Sequence, residues 1–419
     1  MRHVAGCDGT PTWPGSGAIY CRITPERVQP GHFSVMQKLK IFTDDSLIKE
    51  GMGVHWLVRP LLDPSLAQKC AESVPPGELK PFDRILAEYN RTAATMFELT
   101  DLESCDVVVL PVHWHEIRGG FGWIAKPNRE LIREVQESSE KAQRAGKPFV
   151  IFFSESRSHE PIPVPGAIVF RHAMYRSRRG ALDHAMPVMI VTDPSKEPYG
   201  RYFLPDADWH STPTVGFCGF ARRVKLSEWF KTGIQKAYTL AKFGYPDVSQ
   251  FKGLRVRSKA IDILRASDKT KTKFIVRAES VFLTTKKNYS DKKEQYRDEF
   301  YRNIADSDYQ LCMRGSANHS RRPWETLSCS RTPLFVDTDC VLPFESLIEW
   351  EKRMPIVSED DLNRMPEHLL DFHSALAGER FTEFQRSQRQ FWEEWLSPHG
   401  FASKFRQHFE SLVLEPLRR

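Results

Sequence analysis

The stretch from Tyr309 to Phe344, YQLCMRGSANHSRRPWETLSCSRTPLFVDTDCVLPF, constrains this chain most: two short apolar runs are each followed at once by polar, turn-forming or charged residues. That order suits strands of an open parallel α/β sheet, where ligands bind outside the carboxyl ends of the strands. Residues 309–313 read as a buried strand and Arg314-Gly315-Ser316 as its exit loop. Residues 321–330 then read as one amphipathic helix and 332–336 as the next strand. This arrangement brings Arg314, Ser320, Arg322 and Glu325 to one crevice. Cations and helix-start N–H groups there suit phosphates, and a carboxylate accepts hydrogen bonds from ribose hydroxyls.

Length and composition set the frame. A chain of 419 residues exceeds what one hydrophobic core ordinarily supports, so two domains are expected. Hydrophobic content of 40% and charged content of 27% are those of an ordinary globular protein. The net charge of +6 is too diffuse to imply nucleic acid. The eight cysteines show no regular spacing and read as free thiols in a reducing compartment. The longest apolar runs fall far below the ~20 residues of a membrane span. The first fifteen residues lack the apolar core of a signal peptide.

Along the chain, residues 1–35 are rich in Gly and Pro and read as an irregular extension. Strand-like runs follow at 38–42, 53–58, 106–112, 148–153, 167–170 and 188–191, with an amphipathic helix over 127–145. Residues 193–213 are polar and proline-rich and read as a linker. Strand and helix alternation then resumes with strands at 215–217, 273–276, 309–313, 333–336 and 355–357. The expected division is an extension (1–35), an amino-terminal Rossmann-like acceptor domain (36–195), a carboxyl-terminal Rossmann-like donor domain (210–385) and a helical segment (386–419).

The 309–344 segment also resembles the carboxyl-terminal half of the exostosin family of glycosyltransferases. The family pattern runs through an apolar strand, a P/R-G turn, S-x-R-x-x-E-A, a G-C-x-P-V strand entry, and an aspartate shortly ahead of L-P-F. This chain supplies Leu311-Cys312-Met313, Arg314-Gly315, Ser320, Arg322, Glu325, Pro333, Asp339 and Leu342-Pro343-Phe344. It departs at Thr326, where Ala is usual, and at Ser330-Arg331, where Gly-Cys is usual. Upstream, residues 214–219, ending in Gly219, and Arg255-Val256-Arg257 resemble the family's strand, glycine and later arginine. The resemblance implies an α/β fold of GT-B architecture, two Rossmann-like domains facing a cleft, with the last helices returning toward the first domain. It implies a nucleotide-diphosphate sugar as donor and Gly219, Arg255, Arg314, Gly315, Ser320, Arg322 and Glu325 as donor-binding residues. A saccharide or glycan acceptor, inverting transfer and no metal or other cofactor are implied as well. Exostosins generally carry a Golgi anchor, so the chain reads as a cytosolic enzyme or as a Golgi-lumenal domain trimmed of its anchor.

The base of such a transfer should stand at a strand end facing the cleft. Glu155 closes the 148–153 run, with Arg157 and His159 beyond it, and His113, His115 and Glu116 follow the 106–112 run. Glu155 is the first choice, with His113 and His115 as alternatives. Arg322 and Glu325 also have a plainer reading as a surface ion pair three residues apart. Asp337-Thr338-Asp339 has the form of a divalent-metal motif but falls in the exostosin-like segment. The cluster Arg171, His172, Tyr175, Arg176, Arg178 and Arg179 reads as a solvated basic face, or as a surface for an anionic acceptor or lipid headgroups. Two other functions stay open: an inactive nucleotide-sugar or glycan-binding module, and an anion or nucleic-acid binder using the 171–179 cluster.

Overall fold

Eleven strands form two wholly parallel sheets in a computed structural model that describes residues 37–74, 78–119, 127–156, 160–190, 192–196, 200–202, 208–243, 250–278 and 289–418. The 1–35 extension, Arg157, His159 and Val191 lie outside the described residues. The first sheet comprises β1 (Leu39–Phe42), β2 (Phe97–Leu99), β3 (Val107–Val109), β4 (Phe149–Phe153), β5 (Ile168–Arg171) and β6 (Asp183–Ala185), in the order β2-β1-β3-β4-β5-β6. The second comprises β7 (Thr214–Phe220), β8 (Lys271–Arg277), β9 (Tyr309–Cys312), β10 (Thr332–Asp337) and β11 (Ile356–Ser358), in the order β11-β10-β9-β7-β8. Each sheet repeats one winding, with its second strand outside the first and the later strands on the other side. The topological switch points therefore fall between β1 and β3 and between β7 and β9. Two such doubly wound parallel sheets form the α/β GT-B architecture expected from the sequence.

The apolar run of β4 shows why the sheets are buried on both faces. Val150 and Phe152 point to one side, where Phe152 meets Phe401 and Phe405 of the helix Pro398–Gln407 at ring distances of 6.4 and 6.1 Å. Phe149, Ile151 and Phe153 point to the other, onto Leu131, Val135 and Ala142 of the helix Arg129–Arg144. The period of two across a parallel strand covered on both faces demands a continuous apolar run. Each such side chain taken from water contributes ~1.5–3 kcal/mol. Asn128 starts the 129–144 helix by accepting from the Leu131 N–H at 3.1 Å. The helix Glu379–Phe391 leads into residues 392–414, whose Trp392, Phe401, Phe405 and Val413 share one core with the first sheet and with Cys312 and Phe335 of the second. Residues 38–419 thus pack as one body.

Three local expectations differ from the structure. In the 53–58 run only Val54 pairs, in a single bridge to Val112, and His55 O then accepts from Val58 N and Arg59 N as the chain turns into the helix Arg59–Leu62. Trp56, Leu57 and Val58 are core residues without being a strand, a distinction that an apolar run alone does not carry. The 188–191 run likewise buries Val188 and Ile190 but joins no sheet among the described residues. The sheet edge is instead the polar β6, as suits an edge strand. Conversely, β2 follows directly on the helix Pro81–Met96 with no turn residue to announce it.

Candidate functional site

At the switch point of the second sheet, Arg322 ties the two diverging strands together. It opens the helix Arg322–Ser328, and its N–H donates to Ser320 Oγ at 3.3 Å. Its guanidinium donates to Cys218 O at 2.7 Å and Leu311 O at 3.4 Å, one carbonyl from β7 and one from β9. It lies 4.3 Å from the Phe217 ring centroid, a cation–π contact. Gly219 makes this fit possible, since a Cβ there would stand 2.8 Å from Arg322 Nη2. The plain surface pair with Glu325 does not form: Arg322 turns to the carbonyls, and burial raises the Glu325 carboxyl pKa against the pull of Arg321, Arg322 and Arg297.

Arg314 leaves the end of β9 only 1% exposed, and its Nη2 donates to Tyr175 OH at 3.1 Å. Its carbonyl accepts from Arg257 Nη2 at 3.0 Å, while Arg257 Nη1 donates to Phe220 O at 2.5 Å. Burial, with Arg322 nearby, pushes the Arg257 pKa down to about 10, so it stays a cation at neutral pH. Gly315 N donates to His319 O at 3.0 Å, closing the exit loop. The helix Gln250–Ala266 reaches this loop through Gly253, where a Cβ would meet Gly315 O at 2.2 Å. On that helix Arg255 is exposed and Arg257 faces the crevice, because residues two apart on a helix point to different sides. Arg257 is thus the arginine that this helix delivers to the switch point, and Arg255 is not.

Across from these cations stands a group of imidazoles. His113 and His115 follow β3, His172 follows β5, His55 lies beside them, and His319 comes from the exit loop of β9. His55 stacks on Phe152 at 4.5 Å and meets His113 edge-on at 4.7 Å; His113 and His115 are 5.2 Å apart, and His172 and His319 6.1 Å. Burial pushes the pKa of His113 and of His319 down to about 4, and those of His55 and His172 well below the usual histidine range. These rings are therefore neutral near pH 7. Leu57 N donates to His55 Nδ1 at 3.4 Å. Among the described residues, His55 Nε2, His113 Nδ1, both ring nitrogens of His319 and Arg321 Nε are buried without a hydrogen-bond partner. Buried polar atoms of this kind are rare and mark a place where a ligand or water fits. The sequence reading named His113 and His115 but missed His55, His319 and Arg321. The nearest signal was the position of His319 and Arg321 inside the exit loop between Arg314 and Arg322.

Glu155, the first choice of base, is buried and committed elsewhere. Arg118 reaches its Oε2 at 3.4 Å and holds Glu160 at 2.6 Å, so the three side chains form an ion-pair group beyond the carboxyl end of β4. Its carboxylate is thus engaged in an ion pair.

The 171–179 segment is a strap between the two sheets, buried over 173–175 and exposed from Arg176 to Arg179. Arg171 is buried, donating to Asp183 at 2.7 Å and Glu160 O at 2.8 Å. Tyr175 forms an antiparallel bridge to Cys340, Arg176 donates to Asp337 at 3.0 Å, and Arg179 pairs with Glu345. Ser177 N donates to Asp339 Oδ1 at 3.1 Å, and Asn318 Nδ2 donates to Met174 O and Asp339 O. The strap thus joins the carboxyl end of β5 to those of β9 and β10, so the two sheets turn these edges toward each other. Arg171, Arg176 and Arg179 are each paired with a carboxylate, and Arg178 lies over the Tyr175 ring at 5.7 Å. Both carboxylates of the 337–339 triplet take donors from the strap. No group of three or more His, Cys, Asp or Glu able to hold a metal occurs among the described residues. The six described cysteines are buried free thiols, and no described helix is long and apolar enough to cross a membrane.

No protein-family model and no curated protein sequence matches the chain. Among solved structures, it is similar to a mutant of S. aureus TarM in complex with fondaparinux, alpha-GlcNAc-glycerol and UDP, with 11% identity, a TM-score of 0.30 and 68% of this chain covered. The match spans 59% of the TarM chain. It is similar to the catalytic domain of starch synthase IV from Arabidopsis thaliana bound to ADP and acarbose, with 10% identity, a TM-score of 0.34 and coverage of 82% of this chain and 79% of that one. It is also similar to WaaG, a glycosyltransferase involved in lipopolysaccharide biosynthesis, with 9% identity, a TM-score of 0.29 and coverage of 88% and 99%.

Proposed function

We propose that this chain is an exostosin-like glycosyltransferase that moves a sugar from a nucleotide-diphosphate donor to a saccharide hydroxyl, with inversion and without a metal ion. One observation carries the reading: cations gathered at the β7/β9 switch point stand opposite neutral imidazoles at the carboxyl end of β3 and β5. Arg257, Arg314, Arg321 and Arg322 supply positive charge for a diphosphate as negative charge builds on the leaving group. They take the part that a divalent cation has in other transferases. Glu325 is the group for a ribose or donor-sugar hydroxyl.

The base in this reading is His113, in place of Glu155. Its ring is neutral and Nδ1 is open, as a proton acceptor requires. A diphosphate bound nearby would raise its pKa from about 4 toward the operating pH, because a negative neighbour favours the protonated ring. Turnover is then coupled to donor occupancy. The test is a thermal-shift panel of UDP, GDP and ADP sugars, followed by transfer to saccharide acceptors with and without a chelator. A raised Tm with one nucleotide family and transfer that survives chelation are expected. Failure of every nucleotide sugar to bind, or transfer abolished by chelation and restored by Mn²⁺, refutes the reading. Binding without turnover would leave an inactive nucleotide-sugar module.

A further inference from the structure

We propose that the helix Leu226–Phe243 docks this protein on an anionic lipid surface, lying in the plane of the headgroups. Its sequence is LSEWFKTGIQKAYTLAKF, in which Phe230, Gly233, Ile234, Ala237, Tyr238, Leu240 and Ala241 fall on one side and Glu228, Thr232 and Gln235 on the other. A helix packed on a globular body turns its apolar side inward. This one is reversed. Phe230 and Ile234 are each 71% exposed, Tyr238 53% and Leu240 52%, whereas Glu228, Thr232 and Gln235 are half-buried toward the body. The polar side is hydrogen-bonded locally: Glu228 accepts from Arg222 Nη1 at 2.7 Å and from Lys225 N at 2.9 Å, and Thr232 Oγ1 donates to Glu228 O at 2.8 Å. These bonds close the helix's own first turns, while the opposite side leaves a row of large apolar side chains exposed. Exposed apolar patches of this kind mark an interaction surface.

Charge identifies the occupant. Glu228 is the helix's only acid and is neutralised by Arg222. Lys225, Lys231 and Lys236 are exposed, with Lys231 and Lys236 at opposite margins of the apolar side. Lysines so placed lay their stems along an apolar surface and lift their ammonium groups to the level of lipid phosphates. Protein interfaces are depleted in lysine, which argues against a protein partner on the same side. The helix is also too charged to enter the bilayer core, so it lies on the surface. At 18 residues it would present a strip about 27 Å long.

The test uses the full chain in co-sedimentation with vesicles of phosphatidylcholine, and of phosphatidylcholine doped with phosphatidylglycerol. Partitioning ~10-fold or more stronger on the phosphatidylglycerol vesicles, falling at high salt, is the expected result. Phe230→Ser combined with Ile234→Ser should remove ~10-fold or more of that binding, with circular dichroism and Tm unchanged because both side chains stand in water. Lys231→Glu combined with Lys236→Glu should erase the preference for phosphatidylglycerol. Equal partitioning on both vesicles, no binding by the wild type, or full binding by the serine variant each overturns the proposal. So does a wild-type dimer in solution that the serine variant dissolves, since the apolar side would then belong to a second copy.

Discussion

Gly219→Ala tests the geometry of the switch point without removing a single charge. The added Cβ would stand 2.8 Å from Arg322 Nη2, and that nitrogen is held at 2.7 Å by Cys218 O, so the guanidinium must leave its carbonyl to make room. A hydrogen bond from a charged donor contributes ~1.5–3 kcal/mol. Replacing a strand glycine returns ~0.4–1 kcal/mol by restricting the unfolded chain. The balance is a loss of roughly 1–2 kcal/mol, read as a drop of a few degrees in Tm. Gly233→Ala is the internal control: nothing lies within 4 Å of its Cβ, and a helix-interior glycine changed to alanine should gain ~0.5–1 kcal/mol. On the proposed function, the displaced guanidinium should also weaken nucleotide-diphosphate binding about tenfold by calorimetric titration, equivalent to ~1.4 kcal/mol. A Gly219→Ala protein with wild-type Tm and wild-type Kd would show that Arg322 is not held by the Cys218 carbonyl, and the argument from the crevice would fall with it.

His113→Asn should lower kcat ~10²-fold or more while leaving donor Kd unchanged. Glu155→Gln should instead cost ~1–3 kcal/mol of stability by weakening the Arg118 group, with kcat of the folded protein within a few-fold of wild type. The opposite pattern would return the base to Glu155. For pH, the sign follows from the depressed histidines: His113 and His319, at about 4 in the fold, and His55 and His172, well below the usual histidine range, stay neutral where the unfolded chain binds protons. Their contribution is present above pH ~6.5 and is lost as pH falls from there toward the folded values, by up to ~1.4 kcal/mol per pH unit per ring. A urea midpoint that stays level between pH ~7 and ~5 would show that these rings titrate normally in the fold.

Most strands were legible in the sequence because their signal is local. The β4 run, the β9–β10 pair with its exit loop and the helix after Asn128 carry their own periodicity and caps, and the structure moves their ends by only a few residues. Errors arose where burial and hydrogen bonding part company: the 53–58 run is core without being strand, and β2 is strand without a flanking turn.

Which residues follow the strands was likewise determined by the sequence alone: Arg314, His113 and Glu155 come within a few residues of the ends of β9, β3 and β4, and Ser320 and Arg322 stand at the start of the helix after β9. What those residues can do was decided only by the tertiary structure. Glu155 has Arg118 thirty-seven positions away, Arg176 has Asp337 one hundred and sixty-one positions away, and the imidazole group gathers residues from four separate stretches of chain. A carboxylate's availability, a guanidinium's free donors and an imidazole's pKa depend on which groups surround them and how much water remains. Those neighbours are brought in by sheet stacking and by the 171–179 strap, and no local window of sequence contains them.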